Sequence, residues 1–318
     1  MKIGIIGATG LIGRTLLSVL EHSSLPIEIV YLSASTKSEG NDRVFRDRHY
    51  KIANTSLETV QQVCDVVVLS SDSSVSSTWS THIQEYATWI LDISNAHRDD
   101  TTIPLVVPEI NGDTLQHYKG IISNPNCSTI QLTKAVYPIQ KLFGLHKIIV
   151  STYQSVSGMG QKGLSLFHQE QGQTLDKAPL SKNCTPYIGP IQEHGYCQEE
   201  WKMIHETKRI LCDDSLLVIP TTVRVPVEIS HGESIYVETR EEINLERLVK
   251  FIQEQPYITY DDTSLKTANA VHTNQVFIGR LRYVDSHSLQ FWCIADNLLV
   301  GSAWNAYQII HGLERRII

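Results

Sequence analysis

What this 318-residue sequence lacks narrows its setting first. No apolar run approaches the roughly 18 residues needed to cross a bilayer, so no membrane-spanning helix is expected. The opening MKIGIIGATG enters a strand-like stretch without the architecture of a secretory signal, and the expected location is cytoplasmic. Basic clusters are missing too. Lys and Arg number 27 against 34 Asp and Glu, a formal net charge of -7, which argues against a polyanion-binding surface and against nucleic acid as a partner. The six cysteines, at positions 64, 127, 184, 197, 212 and 293, include no C-x-x-C pair and no zinc-like spacing. Free thiols are therefore expected, with no metal site, and the length is that of about two domains.

What is present begins with alternation. KIGIIGA, IEIVYLS, DVVVLSS, TWILDIS and KGIISNP are short β-rich runs separated by the helical segments RTLLSVLEHS, SLETVQQVC and STWSTHIQEYA. This is the pattern of an α/β doubly wound parallel sheet. After Cys127 the pattern changes to a helix, the strand KIIVSTYQSVS, a polar stretch, the helix EEWKMIHETKRIL and a series of longer strands. Those strands predict a mixed α+β domain on a largely antiparallel sheet. The final NLLVGSAWNAYQIIHGLERRI reads as one amphipathic helix packing back on the first domain. The expected division is 1–127, completed by the helix at about 298–318, and 128–297.

GIIGATGLIGR places Gly7, Gly10 and Gly13 between the first strand and the first helix. Glycines there permit a tight turn and close backbone approach, so that helix-terminal N–H groups can hold a pyrophosphate. The expected dinucleotide turn comprises Gly7, Thr9, Gly10, Leu11, Ile12 and Gly13, which makes the first domain Rossmann-like. An acidic residue after the second strand would favour NAD through its ribose hydroxyls. Here Ser35, Thr36 and Lys37 offer two hydroxyls and a cation, chemistry suited to a 2′-phosphate and hence to NADP.

SNPNCSTIQ sets Cys127 at the start of a helix, where the positive helix end and Asn126 favour a thiolate. A nucleophile that passes through an acyl intermediate needs a proton donor and acceptor, and RVPVEISHGES offers His231, seven residues after Arg224. Residues seven apart on a regular strand point to opposite faces, so a bend near Ser230 is required for both to face one cleft. Arg98 follows DISNAH at the C-terminal end of a parallel strand, the edge where such sheets bind ligands. Glu199 and Lys202 are three apart on one helix, on one face, and on that spacing alone form an ordinary ion pair.

GIIGATGLIGR, DISNAHR, SNPNCSTIQ, VSTYQSVSGMGQKG, EEWKMIHETKRI, RVPVEISHGES and ADNLLVGSAWNAYQI fall in the same order as the motifs of aspartate-semialdehyde dehydrogenases, and over nearly the whole chain the sequence resembles that family. The resemblance implies an NADP-dependent, reversible conversion of L-4-aspartyl phosphate to L-aspartate 4-semialdehyde, early in lysine (diaminopimelate), threonine and methionine biosynthesis. It implies Cys127 as the acylated nucleophile, His231 as general acid/base and Gln154 as the group that orients the acyl oxygen. Arg224 would bind the substrate α-carboxylate, Glu199 its ammonium group, and Arg98 with Lys202 the phosphate. Asn126, Ser157 and Gly158 would line the substrate site, and Ser71 and Asn297 would contact the cofactor. A homodimer formed through the second domain is implied as well. The sequence departs from the family where SSDSS replaces Ala-Gly-Gly-Ser, which puts Asp72 and Ser73 at two glycine positions beside the cofactor. Lys37 stands where an arginine is usual, keeping the charge but not the bidentate fork. A reductase acting on another acyl phosphate or acyl-CoA, and a non-catalytic paralogue, are the competing readings. Glu199 with Arg224 argues for an amino-acid substrate, and Cys127, Gln154 and His231 argue for catalysis.

Overall fold

A computed structural model describes residues 1–263 and 265–315. In chain order its elements are β1 (Lys2–Ile6), α1 (Leu11–Glu21), β2 (Glu28–Ala34), β3 (Asp42–Phe45), β4 (Arg48–Lys51), β5 (Ala53–Asn54), α2 (Leu57–Val60), β6 (Cys64–Leu69), α3 (Ser73–Ile83), β7 (Ala87–Asp92), α4 (Pro108–Asn111) and β8 (Gly120–Ser123). They continue with α5 (Cys127–Phe143), β9 (Leu145–Gln154), α6 (Gly160–Glu170), α7 (Gln198–Leu211), β10 (Leu217–Arg224), β11 (His231–Thr239), α8 (Leu245–Gln253), β12 (Ile258–Tyr260), β13 (Val276–Asp285), β14 (Ser288–Ala295) and α9 (Trp304–Glu314).

The chain forms two compact units, Met1–Pro125 with the segment from Ser302 onwards, and Asn126–Gly301. The break falls at Pro125/Asn126 rather than after Cys127, because Asn126 caps α5 and belongs with it.

Unit 1 is a six-stranded sheet in the order β5-β2-β1-β6-β7-β8, parallel in every pairing. Both faces are covered, so β1 and β6 are continuous apolar runs rather than alternating ones. Leu16, Leu17 and Leu20 of α1 and Ala306, Ile309, Ile310 and Leu313 of α9 bury against the same core as Ile3, Ile5, Val66 and Val68. The C-terminal helix therefore completes unit 1. It is not continuous from about 298, because Leu299–Ala303 form a π-helical turn before α9 begins. Residues 316–318 of the expected helix lie outside the described residues.

The hairpin β3–β4 has no counterpart in the sequence pattern. Its turn puts Arg46 and Asp47 at φ 49° and 61°, a conformation normally signalled by Asn-Gly or Asp-Gly. The reward for that backbone is local. The Arg46 guanidinium donates to the carbonyls of Leu20 (2.9 Å), Ser23 (2.7 Å) and Leu25 (2.8 Å), which ties the hairpin turn to the end of α1 and the loop that follows it.

Unit 2 is built on a six-stranded sheet in the order β10-β9-β11-β14-β13-β12. The pairings of β9 with β11, β11 with β14 and β13 with β14 are antiparallel, whereas β10–β9 and β12–β13 are parallel. One face packs on α5, most of whose residues are buried. The strand register sets Arg224 beside Gln154 and Gly232 beside Tyr153, so the polar ends of three strands share one edge of the sheet.

Candidate active site

Three neighbouring strands present their ends together: β10 stops at Arg224, β9 stops at Gln154 and β11 starts at His231. The bend that this requires is present, since Ser230 is held at φ 80°, a left-handed conformation that a non-glycine residue adopts at a cost. The Ser230 N–H donates to Asn297 Oδ1 (2.9 Å) and its hydroxyl to the Ala295 carbonyl (2.9 Å), which holds the strained residue in place.

Cys127 is the first residue of α5, half-buried, with Asn126 as its N-cap. Asn126 Oδ1 accepts from the N–H groups of Ser128 (3.0 Å) and Thr129 (3.4 Å). The Asn126 N–H donates to Glu206 Oε2 at 2.7 Å, and its side-chain amide donates to Glu199 Oε1 at 2.9 Å. The cap is thus tied to α7 on two sides, and the helix end that faces the sulfur cannot drift. Cys127 Sγ lies 3.4 Å from His231 Nε2. Gly301 closes the other side, for a Cβ added there would sit 2.6 Å from Cys127 Cβ.

His231 is fully buried. Burial first, then the Arg224 guanidinium, depress its pKa to about 3, so the imidazole is neutral at physiological pH. Arg224 is itself drawn down by burial, against the opposing pull of Glu199 and Cys127. Its guanidinium donates to the Ser155 carbonyl, and Gly158 leaves the space beside it, since a Cβ there would meet Arg224 Nη1 at 3.0 Å. Glu199 is buried, which on its own would raise its pKa. Lys202 (3.3 Å), the Asn126 amide and Arg224 outweigh that cost and hold the carboxyl below its ordinary range. The Glu199–Lys202 pair is therefore an internal pair rather than the exposed one its spacing predicts. The Gln154 side chain is buried, and its Nε2 has no hydrogen-bond partner among the described residues. A buried N–H donor of this kind is costly unless something accepts from it.

Unit 2 thus brings together Cys127, His231, Gln154, Asn126, Glu199, Lys202, Arg224, Ser157, Gly158 and Asn297. Arg98 belongs to unit 1, where its guanidinium donates to Asn95 Oδ1 (2.8 Å) and the Ile93 carbonyl (2.9 Å). Its loop is pinned by Asp92, which bonds His97 Nδ1 at 2.7 Å and the Ser94 N–H at 2.9 Å.

Unit 1 also carries the dinucleotide turn. Gly7 has φ 85°, and a Cβ on Gly13 would lie 2.3 Å from the Gly7 carbonyl oxygen, so the β1–α1 turn closes only because both are glycine. Gly10 is the N-cap of α1 and makes no side-chain cap, leaving the N–H groups of the helix start for a ligand. Ser71 Oγ is buried without a partner among the described residues. Ser35, Thr36 and Lys37 are exposed after β2, and Thr9 Oγ1 lies 3.1 Å from Ser38 Oγ. These residues fit a dinucleotide phosphate. Asp72 is exposed at the N-cap of α3 and makes no side-chain capping bond. Among the described residues, no group of three or more His, Cys, Asp or Glu is placed to hold a metal ion, and no helix is long and apolar enough to cross a membrane.

Four contributors escape the sequence pattern. Ser155 lies against His231 Nδ1 (3.0 Å), and Gln131 Nε2 reaches the carbonyls of His231 and Cys293 (3.4 Å each) from one turn beyond Cys127. Glu206 holds the cap, and Gly301 packs on the sulfur-bearing residue. The available signal was polarity in an apolar setting, as at Gln131 in a buried helix.

Comparison with known proteins agrees with this geometry. Residues 2–118 match the semialdehyde dehydrogenase NAD binding domain and residues 136–300 the semialdehyde dehydrogenase dimerisation domain, so the cofactor is a nicotinamide nucleotide. The chain is 35% identical to aspartate-semialdehyde dehydrogenase of Bacillus subtilis, over 99% of this chain and 98% of that protein. It is 36% identical to the Aquifex aeolicus enzyme of the same name, over 97% and 96%. The crystal structure of aspartate semialdehyde dehydrogenase II from Vibrio cholerae complexed with ASA superposes with a TM-score of 0.93 at 33% identity, covering 99% of this chain and 98% of that one. Family profiles on both units, relatives matched over their full length and a shared fold lead to one statement: the chain belongs to the aspartate-semialdehyde dehydrogenase family.

Proposed function

We propose that this chain interconverts L-4-aspartyl phosphate and L-aspartate 4-semialdehyde with NADP, through a thioester on Cys127, and so serves lysine, threonine and methionine biosynthesis. The observation that carries the reading is Cys127 at the start of α5, 3.4 Å from a neutral His231. The thiolate attacks the acyl carbon, the Sγ–C bond forms, and phosphate leaves with the electron pair of the broken C–O bond. Gln154, with its unpartnered buried Nε2, donates to the acyl oxygen as negative charge develops on it. Arg224 takes the α-carboxylate and Glu199, kept ionised, the ammonium group. Asn126, Ser157 and Gly158 line the substrate site. Lys202 and Arg98 bind the phosphate. A bound nicotinamide supplies or receives the hydride.

For the cofactor, the cation and two hydroxyls after β2, with no carboxylate at that strand end, support NADP over NAD. The residues that hold it are Gly7, Thr9, Gly10, Leu11, Ile12, Gly13, Ser35, Thr36, Lys37 and Ser71. Support for a homodimer through unit 2 comes from the matched dimerisation domain and from Ile149, Tyr153 and Leu217, which are 40%, 40% and 47% exposed on one sheet.

The purified protein is expected to form NADPH from aspartate semialdehyde only when phosphate is present, and to prefer NADP to NAD at equal concentration. Reduction of a simple acyl-CoA with no response to aspartate semialdehyde would overturn the substrate; a preference for NAD would overturn the role of Lys37.

A further inference from the structure

The loop that carries Arg98 away from β7 is held by side-chain bonds that converge on one carboxylate. Asp92, the last residue of β7, is fully buried. Its Oδ1 accepts the Ser94 N–H at 2.9 Å, and its Oδ2 accepts the Ser94 hydroxyl at 3.1 Å. Ser94 Oγ in turn accepts the Ala96 N–H at 3.0 Å, so the first half of the loop is wound onto its own start. His97 holds the second half. Its Nδ1 donates to the same Asp92 Oδ2 at 2.7 Å, since a carboxylate oxygen can only accept. On the other side of the ring, Nε2 lies 3.2 Å from Ser80 Oγ, a buried hydroxyl on α3 that also reaches the Ser77 carbonyl at 3.1 Å. The imidazole therefore bridges the end of β7 and α3, whichever of Nε2 and Ser80 donates.

Arg98 is the next residue, and its own bonds depend on that loop. Its guanidinium donates to Asn95 Oδ1 (2.8 Å) and to the Ile93 carbonyl (2.9 Å), two groups inside the turn that His97 closes. We propose that His97 is a positioning residue for the phosphate step, a strut from Asp92 and Ser80 that fixes residues 93–98 and so sets the Arg98 guanidinium in place before phosphate arrives. The inference rests on the reading of Arg98 as a phosphate ligand, and His97 acts through Arg98 rather than by contact with substrate. An arginine whose partners are already in place loses little freedom when an anion docks, whereas one on a loose loop must first be ordered. That cost is shared by the bound and the reacting phosphate, so losing the strut raises KM for phosphate and leaves kcat nearly unchanged. Histidine suits the task because its two nitrogens lie on opposite sides of one flat ring and meet two partners at once.

Two substitutions separate the hydrogen bonds from the bulk of the ring. His97→Phe keeps a flat ring and loses both bonds, whereas His97→Asn sets an amide N–H close to the place of Nδ1–H and keeps the bond to Asp92. In phosphate-dependent NADPH formation from aspartate semialdehyde, His97→Phe should raise KM for phosphate about 10-fold, the lower end of what one hydrogen bond to a charged group is worth, with kcat and KM for NADP within about 2-fold of wild type. His97→Asn should keep all three within about 3-fold. Hydrogen exchange over residues 93–98, read by mass spectrometry on the protein without substrate, should quicken in His97→Phe and stay near wild type in His97→Asn. Wild-type exchange and wild-type KM for phosphate in His97→Phe would overturn the strut. So would a His97→Asn protein as impaired as His97→Phe, or a loss confined to kcat. Arg98→Ala, measured alongside, tests the reading underneath: if its KM for phosphate stays at the wild-type value while His97→Phe still loosens the loop, the strut stands and the assignment of phosphate to Arg98 falls.

Discussion

Gly301→Ala is the sharpest test of how closely the fold holds the nucleophile. The new methyl would lie 2.6 Å from Cys127 Cβ, 3.0 Å from its Cα and 3.3 Å from its carbonyl oxygen. Unstrained carbon contacts are about 3.5–4.0 Å, so something must move by roughly 1 Å. Cys127 is poorly placed to yield inward, because it opens a buried helix whose cap is bonded to Glu199 and Glu206. Gly301 has little freedom either, since its N–H bonds the Asp296 carbonyl across the π turn. Overpacking of this kind costs about 1–3 kcal/mol, a loss of a few degrees in Tm for a chain of this size. The larger effect is chemical: a misplacement of about 1 Å at a reacting group costs on the order of 100-fold. The assay is kcat for phosphate-dependent NADPH formation, with the rate of Cys127 alkylation by iodoacetamide as a readout independent of substrate. A fall in kcat of roughly 30- to 300-fold is expected, the size of that misplacement penalty, with the alkylation rate reduced and the circular dichroism of the folded protein kept. Turnover within about 3-fold of wild type would refute the argument that contact with Gly301 sets the sulfur position.

Three further changes test separate parts of the reading. Cys127→Ala should abolish turnover, by at least about 1,000-fold, while leaving NADP binding and Tm near wild type; residual covalent chemistry would move the nucleophile elsewhere. Asp72→Asn removes a carboxylate from the segment after β6, and NADP should bind about 2-fold tighter at low salt, with the gain fading at high salt. Glu233→Gln probes a buried carboxyl that burial pushes well above its ordinary value of 4.5. The folded form keeps that proton where the unfolded chain loses it, so its contribution to stability is full below the unfolded value and falls by about 1.4 kcal/mol per pH unit above it. His231 slopes the opposite way, losing stability as pH drops from 6.5 toward about 3, but it is common to both proteins. Urea titrations at about pH 5, 6 and 7 should therefore show the variant gaining on wild type as pH rises; parallel curves would mean that Glu233 is ionised in the folded state.

Much of the fold was legible because its signals are local. The glycine turn, the apolar strands of the parallel sheet and the switch to longer strands after Cys127 each follow from a few adjacent residues. The β3–β4 hairpin was not, because its turn uses Arg46 and Asp47 in left-handed conformations that only the carbonyl contacts of Arg46 make worthwhile. The π turn at Leu299–Ala303 was missed for a related reason, since an apolar helical pattern continues straight through it. In both places tertiary contact overrides what the local sequence favours.

The candidate site divides along the same line. Cys127 and its Asn126 cap are a local motif, and the bend at Ser230 followed from spacing alone. What makes them a site is register. Pairing of β10 with β9 puts Arg224 beside Gln154, and pairing of β11 with β9 brings His231 to the end where the chain turns at Ser155. Shifting either strand by one residue would turn these side chains to the opposite face. Ser155 was invisible for that reason: in sequence it is one polar residue in a turn, and only the strand pairing sets its N–H and hydroxyl on the far side of the imidazole from Cys127. The chemistry of the sulfur is therefore set as much by which strands pair as by the residues that touch it.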